Sequence, residues 1–235
     1  MARRPTRKSA SAAASGGDRP ARARIIEAFL ALLAEQPFER IGFAEIATHA
    51  GLPLAEVREQ FGSTLAMLAA HVKDIDRAVL TGIDADMAGE PPRERLFDVL
   101  MRRIEVLTPH KAALRSLARS AMRNPALALA LNSLAVRSQQ WMLTAADISA
   151  SGPRGMVRAQ GLALLFASVL RTWLDDDDPG LARTMASLDR ALARGQRWSG
   201  LLDDLLRVSA CAGRRGRPPS RRRRADEPGD ETIAA

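Results

Sequence analysis

Residues Phe38–Leu68 read FERIGFAEIATHAGLPLAEVREQFGSTLAML, and this stretch decides the fold. Phe43, Ile46 and Ala47 recur at helical spacing. Gly51 stops that helix, because glycine takes the left-handed C′ conformation at little cost. A second short helix is expected from Pro53 to Phe61, with Val57 and Phe61 on one face and polar side chains on the other. Phe61-Gly62-Ser63 then breaks the chain before the next helix. Two short helices joined by a tight turn are the layout of a helix-turn-helix, whose second helix enters a DNA major groove. That second helix is not basic. Pro53 suits a first turn but brings no capping oxygen, and Glu56 and Glu59 are repelled by phosphates. The candidate DNA-contacting side chains are Leu54, Ala55, Arg58 and Gln60, of which Arg58 and Gln60 can read base edges or hold phosphates.

Outward from this segment, the pattern is helical throughout. Ile25, Ile26, Phe29, Leu32 and Leu33 form a stripe on a helix from Ala21 to about Glu35, which Pro37 stops. A longer helix is predicted from Ser63, as its cap, to about Leu80. Gly82 to Pro92 reads as a linker, so the domain division expected is 21–80 and 92–208. Amphipathic helices are predicted at 93–107, 110–123, 126–146, 154–174, 180–197 and 199–208, the first with Leu96, Val99, Leu100, Ile104 and Leu107 on one stripe. No alternating strand pattern is present. The fold class expected is all-α.

Charge is partitioned unevenly over the 235 residues, whose net charge is +8. Residues 21–206 hold 22 basic and 22 acidic residues, so the excess sits in residues 1–20 and 207–235. Both tails, 1–20 and 209–235, are expected to be disordered. Residues 21–76 carry a net charge of −3. The C-terminal run Arg215-Gly216-Arg217-Pro218 matches the core of an AT-hook, in which an extended Arg-Gly-Arg lies in the narrow minor groove of A·T-rich DNA. An arginine-rich tail also suits peripheral contact with an anionic membrane.

Other chemistry is sparse. A single cysteine, Cys211, excludes an internal disulfide and suits a reducing cytoplasm. The N-terminus lacks the apolar segment of a signal peptide, and the run Gly161 to Leu170 is shorter than the roughly 20 residues a bilayer span needs. His49, His71 and His110 are scattered, with no neighbouring carboxylate or cysteine in the sequence. Asp175 to Asp178 reads as a capped, solvated loop rather than a metal site. No nucleophile motif or phosphate loop is found, so no catalytic residue, metal or cofactor is assigned and an enzyme is not expected.

Residues 22–70 resemble the DNA-binding domain of the TetR family of transcriptional regulators. The match rests on Ile25, Ala28, Leu32, Phe38, Glu45-Ile46-Ala47, Ala50-Gly51, Phe61-Gly62-Ser63 and Leu68, without a gap. The resemblance implies an N-terminal three-helix reading head, a C-terminal helical bundle for ligand binding and dimerisation, and a cytoplasmic homodimer that binds double-stranded DNA. It further implies a repressor that responds to an apolar small molecule. The chain departs from the family at Pro53–Arg58, where Leu54 stands at a position commonly held by a lysine. Candidate cavity-lining residues are Met101, Trp141, Met142, Phe166 and Trp173, with Met185 a further one. Residues 92–205 are also similar to the lipid-binding accessory proteins of ubiquinone biosynthesis. This likeness is carried by Leu96–Arg103, Leu170–Leu174 and Asp178–Met185. It implies an alternative, a lipid-binding protein that keeps the fold and has lost DNA binding.

Overall fold

The apolar stripe of the first helix is fully used. In α1 (Asp18–Glu35), Ile25, Ile26, Phe29, Leu32 and Leu33 are all buried. A computed structural model describes residues 18–195 of the chain. After Pro37 the backbone makes a 3-10 turn, Phe38–Arg40, which sets the Phe38 ring edge-on to Phe29 at 6.2 Å. Then come α2 (Phe43–Ala50), α3 (Leu54–Gln60) and α4 (Thr64–Thr81). Ser63 caps α4 as its sequence position predicts, its Oγ accepting from the Ala66 amide at 3.0 Å.

The second half is a helical array of α5 (Pro92–Leu107), α6 (Lys111–Arg123), α7 (Pro125–Ala145) and α8 (Gly152–Leu174). A further helix, α9, is described over 182–195. Among the described residues there is no strand, and the fold is all-α. The segment between α4 and α5 is not featureless. Its middle folds as a 3-10 turn, Ala85–Gly89, where the Asp84 carboxylate accepts from the Asp86 amide. The predicted helix 199–208, residues 1–17 and the C-terminal tail, with Cys211 and Arg215–Pro218, lie outside the described residues, whereas residues 18–20 of the expected N-terminal tail form the start of α1.

Two apolar cores organise this array. One gathers α1, α2, Val57 and Phe61, and the start of α4, and is completed by Ala113 and Leu117 of α6 and Leu127 of α7. The other gathers Ile75 and Val79 of α4 with the inner faces of α5, α7, α8 and α9. Helix α4 therefore runs from one core into the other. Helix α6 braces the first core from the far side: Ser116 Oγ donates to the Gln36 carbonyl at 3.0 Å, and the Phe38 amide donates to Ser120 Oγ at 3.1 Å.

The aspartate run before α9 differs from a solvated loop at one position. Asp178 caps the turn, accepting from the amides of Gly180 and Ala182. Asp176 is buried, and its Oδ2 accepts from both the amide and the hydroxyl of Thr184, at 2.9 and 2.6 Å. Those bonds hold its carboxyl below the ordinary range. Lys111 of α6 donates to the Asp176 carbonyl at 2.6 Å, fastening this loop to the helix that supports the first core.

Candidate nucleic-acid interface

The turn between α2 and α3 is held from both sides. Gly51 has φ +62° and ψ +41°, the left-handed conformation its position predicts. Its own amide and that of Leu52 return to the last turn of α2. The carbonyls of Ala50 and Gly51 are met by Arg24 of α1, whose Nη2 donates to them at 2.6 and 3.1 Å. A Cβ at Gly51 would stand 3.2 Å from that nitrogen, so the clamp adds a second demand for glycine. Arg24 was not singled out from the sequence. Nothing in a linear pattern links an α1 cation to a carbonyl 26 residues away.

Helix α3 buries Val57 and turns the rest of its surface outward. Leu54 is 52 % exposed, a large apolar side chain at the leading end of the helix with no core to enter. Ala55, Arg58 and Glu59 are also exposed, and Glu56 and Gln60 are partly so. The four sequence candidates therefore share one short exposed helix. The Arg58 guanidinium leans back over Gly62, 3.9 Å from where a Cβ would stand. Arg22 of α1 places its guanidinium 4.8 Å from the Phe61 ring centroid. Two cations thus flank the Phe61–Gly62 break, beside the N-terminus of α4. Arg22 is the residue of this group that sequence reading missed.

The acidic balance of the reading head is also reapportioned. Glu45 accepts from Gln36, Glu39 accepts from Asn124, Asp74 pairs with Arg77, and Asp76 pairs with Arg103. None of those partners belongs to α3. Of the other carboxylates of the head, Glu27 and Glu35 stand on α1, and Glu56 and Glu59 on α3.

The candidate ligand residues separate. Met142, Phe166 and Trp173 are buried in the second core, and Met101 packs against it. Met142 and Phe166 meet at one group: Arg103 Nη1 lies 3.9 Å from the Met142 sulfur, and its guanidinium carbon 5.8 Å from the Phe166 centroid. Trp173 meets a different cation, with Lys111 Nζ 5.6 Å from its ring centroid. Trp141 points the other way and is 58 % exposed, because at helical spacing it shares the outer stripe of α7 with Leu129, Ser133 and Arg137. Met185 lines an open surface depression of about 340 Å³ with Glu94, Phe97, Ala186 and Asp189. The histidines are not all scattered: His71 and His110 meet edge to face at 4.7 Å. Among the described residues no group of three or more ligating side chains could hold a metal, and no helix is long and apolar enough to cross a membrane.

Neither a protein-family model nor a curated protein matches this sequence. Solved structures do. A TetR transcriptional regulator from Nitrosomonas europaea ATCC 19718 superposes with a TM-score of 0.60 at 19% identity, over 75% of this chain and 98% of that one. A TetR transcriptional regulator from Rhodococcus sp. RHA1 gives 0.52 at 22% identity, over 75% and 96%. At these identities the likeness is one of architecture: the chain has the fold of the TetR transcriptional regulators.

Proposed function

We propose that this chain is a DNA-binding transcriptional repressor of the TetR type that acts as a homodimer. The observation that carries the reading is α3: a seven-residue helix, fixed by the Arg24 clamp, that buries only Val57 and presents Leu54, Ala55, Arg58 and Gln60. Leu54 suits contact with a thymine methyl group, while Arg58 and Gln60 suit base edges or phosphates. Arg22 and the N-terminus of α4 add positive potential beside it. The Arg215–Pro218 tail supplies minor-groove contact and positive charge beside an α3 that is itself net acidic. An apolar small molecule between α4, α5, α7 and α8 would shift α4 and alter the spacing of two reading heads.

The homodimer reading is supported by the outer faces of α7 and α8. Trp141, Leu129, Met156, Val157 and Leu164 are large, apolar and exposed there. Small residues at Gly161 and Ser168 lie on the same exposed stripe of α8, where a second helix could approach closely.

Binding of the full chain to its own promoter DNA, with and without residues 209–235, tests the reading across a salt series. Salt-sensitive binding is expected from both forms, weaker without the tail. Absence of binding from both forms, with an isoprenoid or phospholipid co-purifying, favours the lipid-accessory role instead.

A further inference from the structure

We propose that Arg103 is the docking point of the effector, and that the effector is an apolar-bodied carboxylate that exchanges with Asp76 for this guanidinium. The proposal rests on the regulator reading above and names the ligand class and the switch.

The pair spans the two cores. Asp76 belongs to α4, the helix that leaves the reading head, and lies between Ile75 and Val79 in the bundle core. Arg103 Nη1 donates to Asp76 Oδ1, and Ser138 Oγ of α7 donates to the same oxygen at 2.6 Å. Arg103 is 6 % exposed, yet its Nε has no hydrogen-bond partner. Arg95 and Arg102 share an unpartnered Nε, but both are only partly buried. Beside Ser138, Gln139 is 2 % exposed and its Oε1 is also unpartnered.

A guanidinium binds a carboxylate best through two parallel N–H···O bonds. Asp76 meets Nη1 with an oxygen already shared with Ser138, and its short side chain is fixed to the α4 backbone. The Nε edge is buried without a partner. A free carboxylate can take Nε and Nη2 together, so it satisfies a donor that the resting pair leaves orphaned. The surroundings suit the rest of such a molecule: Phe166 and Met142 lie against the guanidinium, in a core that includes Leu100 and Ile104.

Exchange transfers the change directly to α4. A ligand on Nε and Nη2 makes Asp76 share one buried guanidinium with a second carboxylate, and this like-charge repulsion weakens its hold on Nη1. The repulsion is relieved as Asp76 moves towards water, and α4 moves with it. Buried ion pairs add little net stability over apolar packing, so a single such pair between two working parts is better suited to a switch than to a brace.

The test uses the full chain and calorimetric titration with sodium carboxylates from hexanoate to myristate, and with benzoate, below their micellar concentrations. Decanol and decyltrimethylammonium serve as uncharged and cationic controls of like body. Saturable binding of at least one carboxylate, and weaker binding of both controls, is expected. Asp76→Asn removes the internal competitor and tightens that binding by about tenfold. Adding Arg103→Met to Asp76→Asn, which keeps the site neutral and filled, abolishes it. The exchange is wrong if decanol matches decanoate, if no carboxylate binds, or if the double variant keeps the affinity of Asp76→Asn. Since no DNA is present in these arms, a failure of operator binding sinks the regulator reading without deciding the exchange.

Discussion

His71 lies at the point of α4 where one core gives way to the other, between Ala70 and Ile75. It is 5 % exposed and its Nε2 has no partner. Burial, then the neighbouring His110 and Arg103, push its pKa down from 6.5 to about 4. The folded state therefore keeps it neutral while the unfolded chain protonates near pH 6.5. Its contribution is complete above that pH and is lost as pH falls towards 4. His110 is also lowered, by burial against an opposing pull from Glu27. Melting temperature is expected to drop between pH 6.5 and 4.5, and His71→Phe should flatten that slope. Glu39 and Asp176, both held low by hydrogen bonds, act only at more acidic pH. At the reading head, Arg24 and Arg58 should separate by salt dependence. Arg58→Ala is expected to lower the log–log salt slope of DNA binding by about one, as for a lost phosphate contact. Arg24→Ala loosens the α2–α3 turn, so it should reduce the melting temperature and DNA affinity and leave the slope unchanged.

At the scale of elements, the helices were legible and their fastenings were not. The stripe of α1, the Gly51 turn, the Ser63 cap and the proline-led starts of α5 and α7 follow from local spacing and backbone preference. What α6 does could not be read that way. Ser116, Ser120 and Asn124 recur every fourth residue on one face, and each meets the elbow between α1 and α2: Gln36 carbonyl, Phe38 amide and Glu39 carboxylate. In the sequence they are small polar residues of an ordinary amphipathic helix. Their role exists only once α6 packs across the end of α1, joining residues 80 to 85 positions apart in the chain. The same holds for the Asp76–Arg103 pair and the His71–His110 contact, whose members are joined by tertiary register alone. Ser116→Ala leaves a part-buried carbonyl unmet and Ser120→Ala a part-buried amide. Each should cost about 1 kcal/mol in denaturant unfolding. A surface serine such as Ser133, whose hydroxyl returns to its own helix, should lose far less on the same change.

For the whole molecule, the outer stripes of α7 and α8 connect fold to proposed function. Trp141 was expected inside, because composition cannot tell which side of a helix in a bundle meets the core. The neighbouring Met142 takes the buried position and Trp141 the open one. With Leu164, Val157 and Met156 it gives the bundle an apolar exterior that a lone chain leaves wet. A second copy related by a two-fold axis would cover it and also set two α3 helices on one face of the DNA. Half-sites about 34–36 Å apart are then required, one turn of the double helix. Leu164→Asp places a charge in the centre of the α8 stripe, away from both cores. The variant should keep the helical signal and melting behaviour of a folded chain, yet sediment as a monomer at concentrations where the parent is a dimer. Its DNA binding should fall towards that of a single reading head, losing the dependence on half-site spacing. If Leu164→Asp remains dimeric, the copies meet elsewhere and the apolar stripe awaits another partner. If the variant is monomeric and binds DNA as tightly as the parent, the paired reading-head geometry is wrong.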